Sequence, residues 1–178
     1  RETCDRCCRP RPACYCAHLP SIATKTRLVL LQHPREREVP IGTARMASLC
    51  LENSELHVGI DWTDSAPLKR ALSDPERSPI LLYPGADAID IQKHPPPGPV
   101  TLVVVDGTWA LTKKIVRVNP ILQSLPRYAF IPPAASEYRI RREPNFESVS
   151  TIEALIHPLS ALAGAPERFA AMMAPFRA

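Results

Sequence analysis

No run of about 18 apolar residues occurs in the chain, so there is no candidate for a membrane-spanning helix. The amino-terminal residues lack the basic, apolar, small-residue order of a secretory signal. The chain begins at Arg1 and not at methionine, so a preceding segment is allowed for. Charge of one sign is scarce as well. The 22 Lys and Arg against 18 Asp and Glu leave +4, compatible with a polyanionic partner but too little to identify one. Beyond residue 16 cysteine is nearly absent, with Cys50 alone. No internal repeat or low-complexity tract is present, and the composition excludes collagen-like and disordered chains. What remains is a soluble globular protein, expected in the cytoplasm. Its 178 residues suffice for one domain with a core and at most a small appendage.

Proline, by contrast, is abundant. The 21 prolines gather in HPPPGP (94 to 99), in IPP (131 to 133) and near element ends, so many connections are stiff and non-helical. Rigid loops on a scaffold are where binding sites are usually built.

Five of the six cysteines fall between Cys4 and Cys16. Cys4, Cys7, Cys14 and Cys16 are spaced C-x2-C-x6-C-x-C, two pairs of thiolates joined by a short loop containing Pro10 and Pro12. A tetrahedral structural zinc site needs two such pairs. Free or oxidised thiols are the other use, and Cys8 competes with Cys7 as a ligand. A closed four-sulfur site leaves no open position for water, so its role is to fold residues 1–20 rather than to catalyse. Residues 21–178 then form the main domain.

The pattern of that domain alternates. TRLVLLQ (26 to 32), PILLYPG (79 to 85) and TLVVV (101 to 105) read as strands buried on both faces, with ELHVG and RYAFIPP as shorter ones. IGTARMASLCLEN, APLKRALS, WALTKKIVRV and residues 150 to 164 read as helices, and Pro166 opens a last apolar helix running to Phe176. Residues 134 to 148 form a long polar loop. The expectation is an α/β domain whose mainly parallel sheet is flanked by helices.

Ligands of open α/β sheets bind beyond the carboxyl ends of the strands. Asp106, Gly107, Thr108 and Trp109 stand at such an end. Asp106, screened by Trp109, is suited to act as a general base, while an Asp or Thr in that position also serves as a helix cap. LLYPG ends a second strand in the same manner, and its glycine permits close approach to a ligand. Tyr138, Arg139, Arg141 and Arg142 follow in the polar loop, where arginines bind phosphates or a carboxylate through forked hydrogen bonds or form a solvated basic loop. Lys113, Lys114 and Arg117 extend a phosphate-tracking surface or a charged solvent face. Ser150 and Glu153 match a capping box.

Taken together, the cysteine set, LQHPRE with Thr43 downstream, LLYPG, DGTW, and SEYRIRREP running to STIEA resemble the DTW-domain family, the tRNA-uridine aminocarboxypropyltransferases. The resemblance implies a SPOUT-like fold with a carboxyl-terminal knot that cradles S-adenosylmethionine. It also implies transfer of the 3-amino-3-carboxypropyl group to N3 of a tRNA uridine, with release of methylthioadenosine. By the same resemblance Asp106 takes the N3 proton or holds the uracil, while Thr108 and Trp109 shape the wall around donor and base. Leu82, Tyr83, Pro84, Gly85, Phe130, Ile131, Pro132, Ser150 and Thr151 line the donor pocket. Tyr138, Arg139, Arg141 and Lys113 contact substrate, with Arg139 or Arg141 on the donor carboxylate or an RNA phosphate. Gly42 departs from the family pattern, which has asparagine before Thr43. The implied partners are tRNA and S-adenosylmethionine, with no membrane and a monomer expected. Two other readings are methyl transfer from the same donor and aminocarboxypropyl transfer to ribosomal RNA; a zinc-dependent RNA-binding module without catalysis is a third.

Overall fold

A computed structural model of the chain describes residues 2–39, 42–130, 151–165 and 167–178. Six strands, β1 (Arg27–Gln32), β2 (Ser54–Val58), β3 (Ser78–Leu82), β4 (Ile89–Asp90), β5 (Val100–Asp106) and β6 (Arg127–Ala129), form one sheet. Its order is β2-β1-β5-β3-β6-β4, and every pairing is parallel. The continuous apolar runs are explained by the two cores the sheet separates. Leu28, Leu30, Ile80, Leu102 and Val104 face one core, and Val29, Leu31, Leu81 and Val103 face the other.

Helices α1 (Pro34–Arg37), α2 (Thr43–Cys50), α3 (Ala66–Leu72), α4 (Trp109–Val118), α5 (Pro120–Gln123), α6 (Thr151–Ala163) and α7 (Ala174–Arg177) connect and cover the strands. Ala44 and Ala47 of α2 and Ile152, Leu155 and Leu159 of α6 close the first core. Leu68 of α3, Ile115 and Val116 of α4 and Leu122 of α5 close the second. Asn119, fully buried between α4 and α5, ties this layer together. Its Nδ2 donates to the carbonyls of Ile60 at 2.8 Å and Ile115 at 2.7 Å, and its Oδ1 accepts from the Trp62 amide at 2.7 Å. A buried polar residue is tolerated because every one of these groups is satisfied.

Two expectations need correction. Asp106 is the last residue of β5, not the first beyond the strand. The helix expected from Pro166 to Phe176 is a 3-10 turn over Ala170–Met173 followed by the single turn of α7, with Pro175 inside that turn. Strand β4, two residues long, was not anticipated. Cys7 and Tyr15 are buried in the same core as Leu28 and Phe169. Among the described residues no helix is long and apolar enough to cross a membrane.

Candidate active site and metal centre

The chain lays down β1 and β3 before β5, which then enters between them. At this point of the sheet the carboxyl ends of β1 and β5 lie side by side, with Gln32 in register with Asp106. Both residues follow the pleat of their strands onto the face that α2 and α6 cover, as do Leu30 and Val104 two positions earlier.

Asp106 is held at both oxygens. Its Oδ2 accepts from Gln32 Nε2 at 3.0 Å, and its Oδ1 accepts from the Thr151 hydroxyl at 2.8 Å. Thr151 is fixed in turn, because its amide donates to Thr43 Oγ1 at 2.9 Å. Thr43 is the first residue of α2 and Thr151 the first of α6, so two helix starts and two strand ends converge on one carboxylate. A carboxylate oxygen accepts more than one hydrogen bond, so each retains capacity for a further donor. Asp106 is only partly buried, and that capacity can face a ligand.

The two readings of Asp106 are separated by geometry. The cap of α4 is Thr108, whose Oγ1 accepts from the Leu111 amide at 3.4 Å, which leaves the Asp106 side chain for other work. Gly107 between them has φ +158°, and a Cβ there would stand 3.3 Å from Leu111 Cβ and 3.5 Å from His33 Cβ. The glycine therefore lets the turn close against His33. That histidine is buried, donates its amide to the Asp106 carbonyl at 3.0 Å and caps α1 by accepting the Arg35 amide at Nδ1. Burial, aided by the charges of Arg35 and Lys114, lowers its pKa, which matches a neutral ring with its lone pair at Nδ1.

The remaining candidates fall on two faces. Leu82, Tyr128 and Phe130 pack against the core that α6 closes, with the Phe130 ring stacked on His157 at 4.6 Å. Tyr83 packs against the other core; Trp109 meets it edge-on at 6.1 Å and the Arg127 guanidinium lies over its ring at 5.4 Å. Trp109 is 43 % exposed. Pro84 and Gly85 are exposed, and a Cβ on Gly85 would stand 3.0 Å from Asp87 Oδ1 and 3.4 Å from Arg127 Nη1. Lys113 is exposed on α4. Ile131, Pro132, Tyr138, Arg139, Arg141 and Ser150 lie outside the described residues. Sequence reasoning gave no role to Gln32 or His33 and none to Thr43 beyond the resemblance; the available signal was a polar pair, Gln32 and His33, ending an otherwise apolar strand.

The second cluster lies in the first twenty residues. Sγ atoms of Cys4 and Cys16 are 3.8 Å apart, those of Cys7 and Cys14 are 3.7 Å apart, and all four lie within 4.8 Å of one another. Sulfurs at about 2.3 Å from a tetrahedral ion are separated by about 3.8 Å, so the set can hold a metal. Cys8 is excluded from it: the residue is exposed, at φ 58°, with its thiol turned to the Asp5 carbonyl. Hydrogen bonds from the backbone at Cys7 and Arg6 lower the pKa of the Cys4 thiol, while burial raises that of Cys16 beside it.

A family model described as DTW domain matches residues 1–178. The chain is 34 % identical over 175 residues to tRNA-uridine aminocarboxypropyltransferase 2 of Drosophila melanogaster, covering 94 % of this chain and 69 % of that protein. It is 28 % identical over 169 residues to the mouse protein of the same name, covering 91 % and 57 %. It is 26 % identical over 140 residues to tRNA-uridine aminocarboxypropyltransferase A of Arabidopsis thaliana, covering 68 % and 53 %. The chain thus spans between about half and about two thirds of the length of these relatives. No solved structure matches it.

Proposed function

Because this chain belongs to the DTW-domain family, we propose that it transfers the 3-amino-3-carboxypropyl group of S-adenosylmethionine to N3 of a uridine in tRNA, releasing methylthioadenosine. The observation that carries this reading is the carboxylate of Asp106, freed from capping by Thr108 and oriented by Gln32 and Thr151 at the joined ends of β1 and β5.

The donor, when bound, supplies a sulfonium-activated carbon and leaves as a neutral thioether. The protein's own contribution is positioning and proton handling. Asp106 accepts the N3 proton of the uracil, N3 forms its bond to the carbon next to sulfur, and the electron pair of the broken carbon–sulfur bond stays on sulfur. Gln32 and Thr151 hold Asp106 in the geometry needed for that transfer, with both of its oxygens already accepting hydrogen bonds. Thr108 and Trp109 form the wall beside it. Leu82 and Phe130, at the ends of β3 and β6 on the α6 side, offer the apolar surface an adenosine needs, and Thr151 opens the helix beside them. Tyr83 contributes from the other face, Pro84 and Gly85 through backbone. Tyr138, Arg139 and Arg141 are assigned to substrate or to the donor carboxylate on the motif alone, and Ile131, Pro132 and Ser150 to the donor pocket on the same ground.

Zinc is the metal proposed for the four cysteines, since a closed all-sulfur tetrahedron suits it. The knotted SPOUT-like connection, the division at residue 20 and a cytoplasmic monomer belong to the same reading. The test is a reaction of the protein with unmodified tRNA and donor labelled in the carboxypropyl portion, followed by mass analysis. Aminocarboxypropyluridine with methylthioadenosine is the expected pair. Methylated RNA with adenosylhomocysteine would replace the chemistry, and label in ribosomal RNA alone would replace the substrate.

A further inference from the structure

On the face of the sheet opposite Asp106 lies an open groove of about 520 Å³, lined by Tyr83, Lys113, Val116, Arg117, Gln123 and Arg127. Its three ionisable residues of fixed sign are all cations. Lys113 and Arg117 are one turn apart on α4 and project from one face of the helix. Arg127 comes from β6, in register with Leu81 of β3, and its guanidinium is laid over the Tyr83 ring. Gln123 fixes the relation of α5 to α4, since its Nε2 donates to the carbonyls of Val116 at 3.1 Å and Arg117 at 2.9 Å.

None of the three cations takes part in an ion pair among the described residues, although Arg27, Arg77 and His57 elsewhere each have a carboxylate partner. Three like charges around one groove repel one another unless an anion lies between them. An arginine stacked on an aromatic ring keeps its forked donors directed outward, which suits a phosphate better than a mobile lysine does. The groove also begins beside the turn that carries Asp106. Trp109, three residues on, contacts Tyr83, which lines it.

We propose that this groove is the track for the RNA backbone flanking the modified uridine, with Lys113, Arg117 and Arg127 each holding a phosphate and Tyr83 orienting Arg127. The proposal rests on the reading of the chain as a tRNA-modifying enzyme and adds the surface that holds the tRNA. Each phosphate contact to a single-stranded segment contributes about 0.7 to the slope of log affinity against log salt. Replacing all three cations therefore flattens the slope by about 2 and weakens binding about 50-fold near physiological salt.

The experiment titrates an unmodified tRNA transcript with the wild-type chain and with the Lys113→Ala, Arg117→Ala, Arg127→Ala triple variant, by fluorescence anisotropy over a salt series. Calorimetry with S-adenosylmethionine checks folding and donor binding in parallel. Weakened tRNA binding, a flattened slope and unchanged donor affinity are expected, with recovery on replacing each alanine by the alternative cation. Wild-type affinity and slope in the triple variant would overturn the proposal, as would displacement of tRNA from the wild type by polyglutamate of equal charge. If the wild type transfers nothing yet loses tRNA binding in the triple variant, the groove stands and the transfer reading falls. If it transfers and the triple variant keeps its KM for tRNA, the groove falls alone.

Discussion

Replacing Asp106 by asparagine removes a proton acceptor while leaving nearly all of its surroundings in place. The asparagine Oδ1 can accept from Gln32 Nε2 as the carboxylate does at 3.0 Å. Its Nδ2 can donate to Thr151 Oγ1, because a hydroxyl that now donates at 2.8 Å can also accept. Two charge-assisted bonds become two neutral ones, a loss of about 1 kcal/mol in stability. Catalysis bears the larger loss. General base catalysis contributes about 10²- to 10⁴-fold, equivalent to about 2.7 to 5.4 kcal/mol of barrier. The assay follows methylthioadenosine release with tRNA at saturating donor, and calorimetry and thermal unfolding report on donor binding and fold. Turnover within about threefold of wild type would refute the role of Asp106 as base. Loss of donor binding together with stability would make the carboxylate a structural brace instead.

Three further outcomes are expected. Changing Cys4 and Cys7 to serine should abolish metal content by elemental analysis and lower Tm by about 10 °C, because Cys7 is buried in the first core and Cys4, Cys14 and Cys16 pack against it; unchanged metal content and Tm would sink the metal assignment. His33 has a folded pKa below its ordinary 6.5, so the unfolded state binds the extra proton first. Stability should then rise with pH and be lost as pH falls through about 6.5, and His33→Asn, which keeps a capping side chain, should flatten that part of a denaturant-midpoint profile. Asn119→Ala leaves the Trp62 amide and two carbonyls unpaired in the core and should cost about 2 to 4 kcal/mol in urea unfolding; a cost under about 1 kcal/mol would mean that other groups or water replace those bonds.

The parts of the fold legible in sequence were those whose signal is local. Strands buried on both faces announce themselves as unbroken apolar runs, and β1, β3 and β5 lie where those runs are. The cysteine pairs reveal themselves by spacing, and only the three-dimensional turn at positive φ decides Cys7 over Cys8. What escaped depends on which strands become neighbours. Gln32 meets Asp106 because β5 enters beside β1, and Thr43 meets Thr151 across 108 residues because α2 and α6 share a face. Leu82, the last residue of β3, and Tyr83 just beyond it join different cores, because successive residues of an extended chain point to opposite faces. The last helix misled because its residues are apolar enough for one, while Pro175 interrupts the hydrogen bonding that would continue it.

The late entry of β5 has a kinetic consequence. β1 and β3, each made earlier, have no bond to one another and share only β5 as a common neighbour, so the middle of the sheet cannot assemble in the order of synthesis. Gln32 and Asp106 are 74 residues apart, and contacts of such separation are reached slowly, after a large loss of chain entropy. The strand that joins β1 to β3 also carries Asp106 on its final residue. Refolding monitored by sheet formation and by recovery of the site should therefore show one shared slow phase, because the chain acquires its carboxylate geometry in the same event that closes its core.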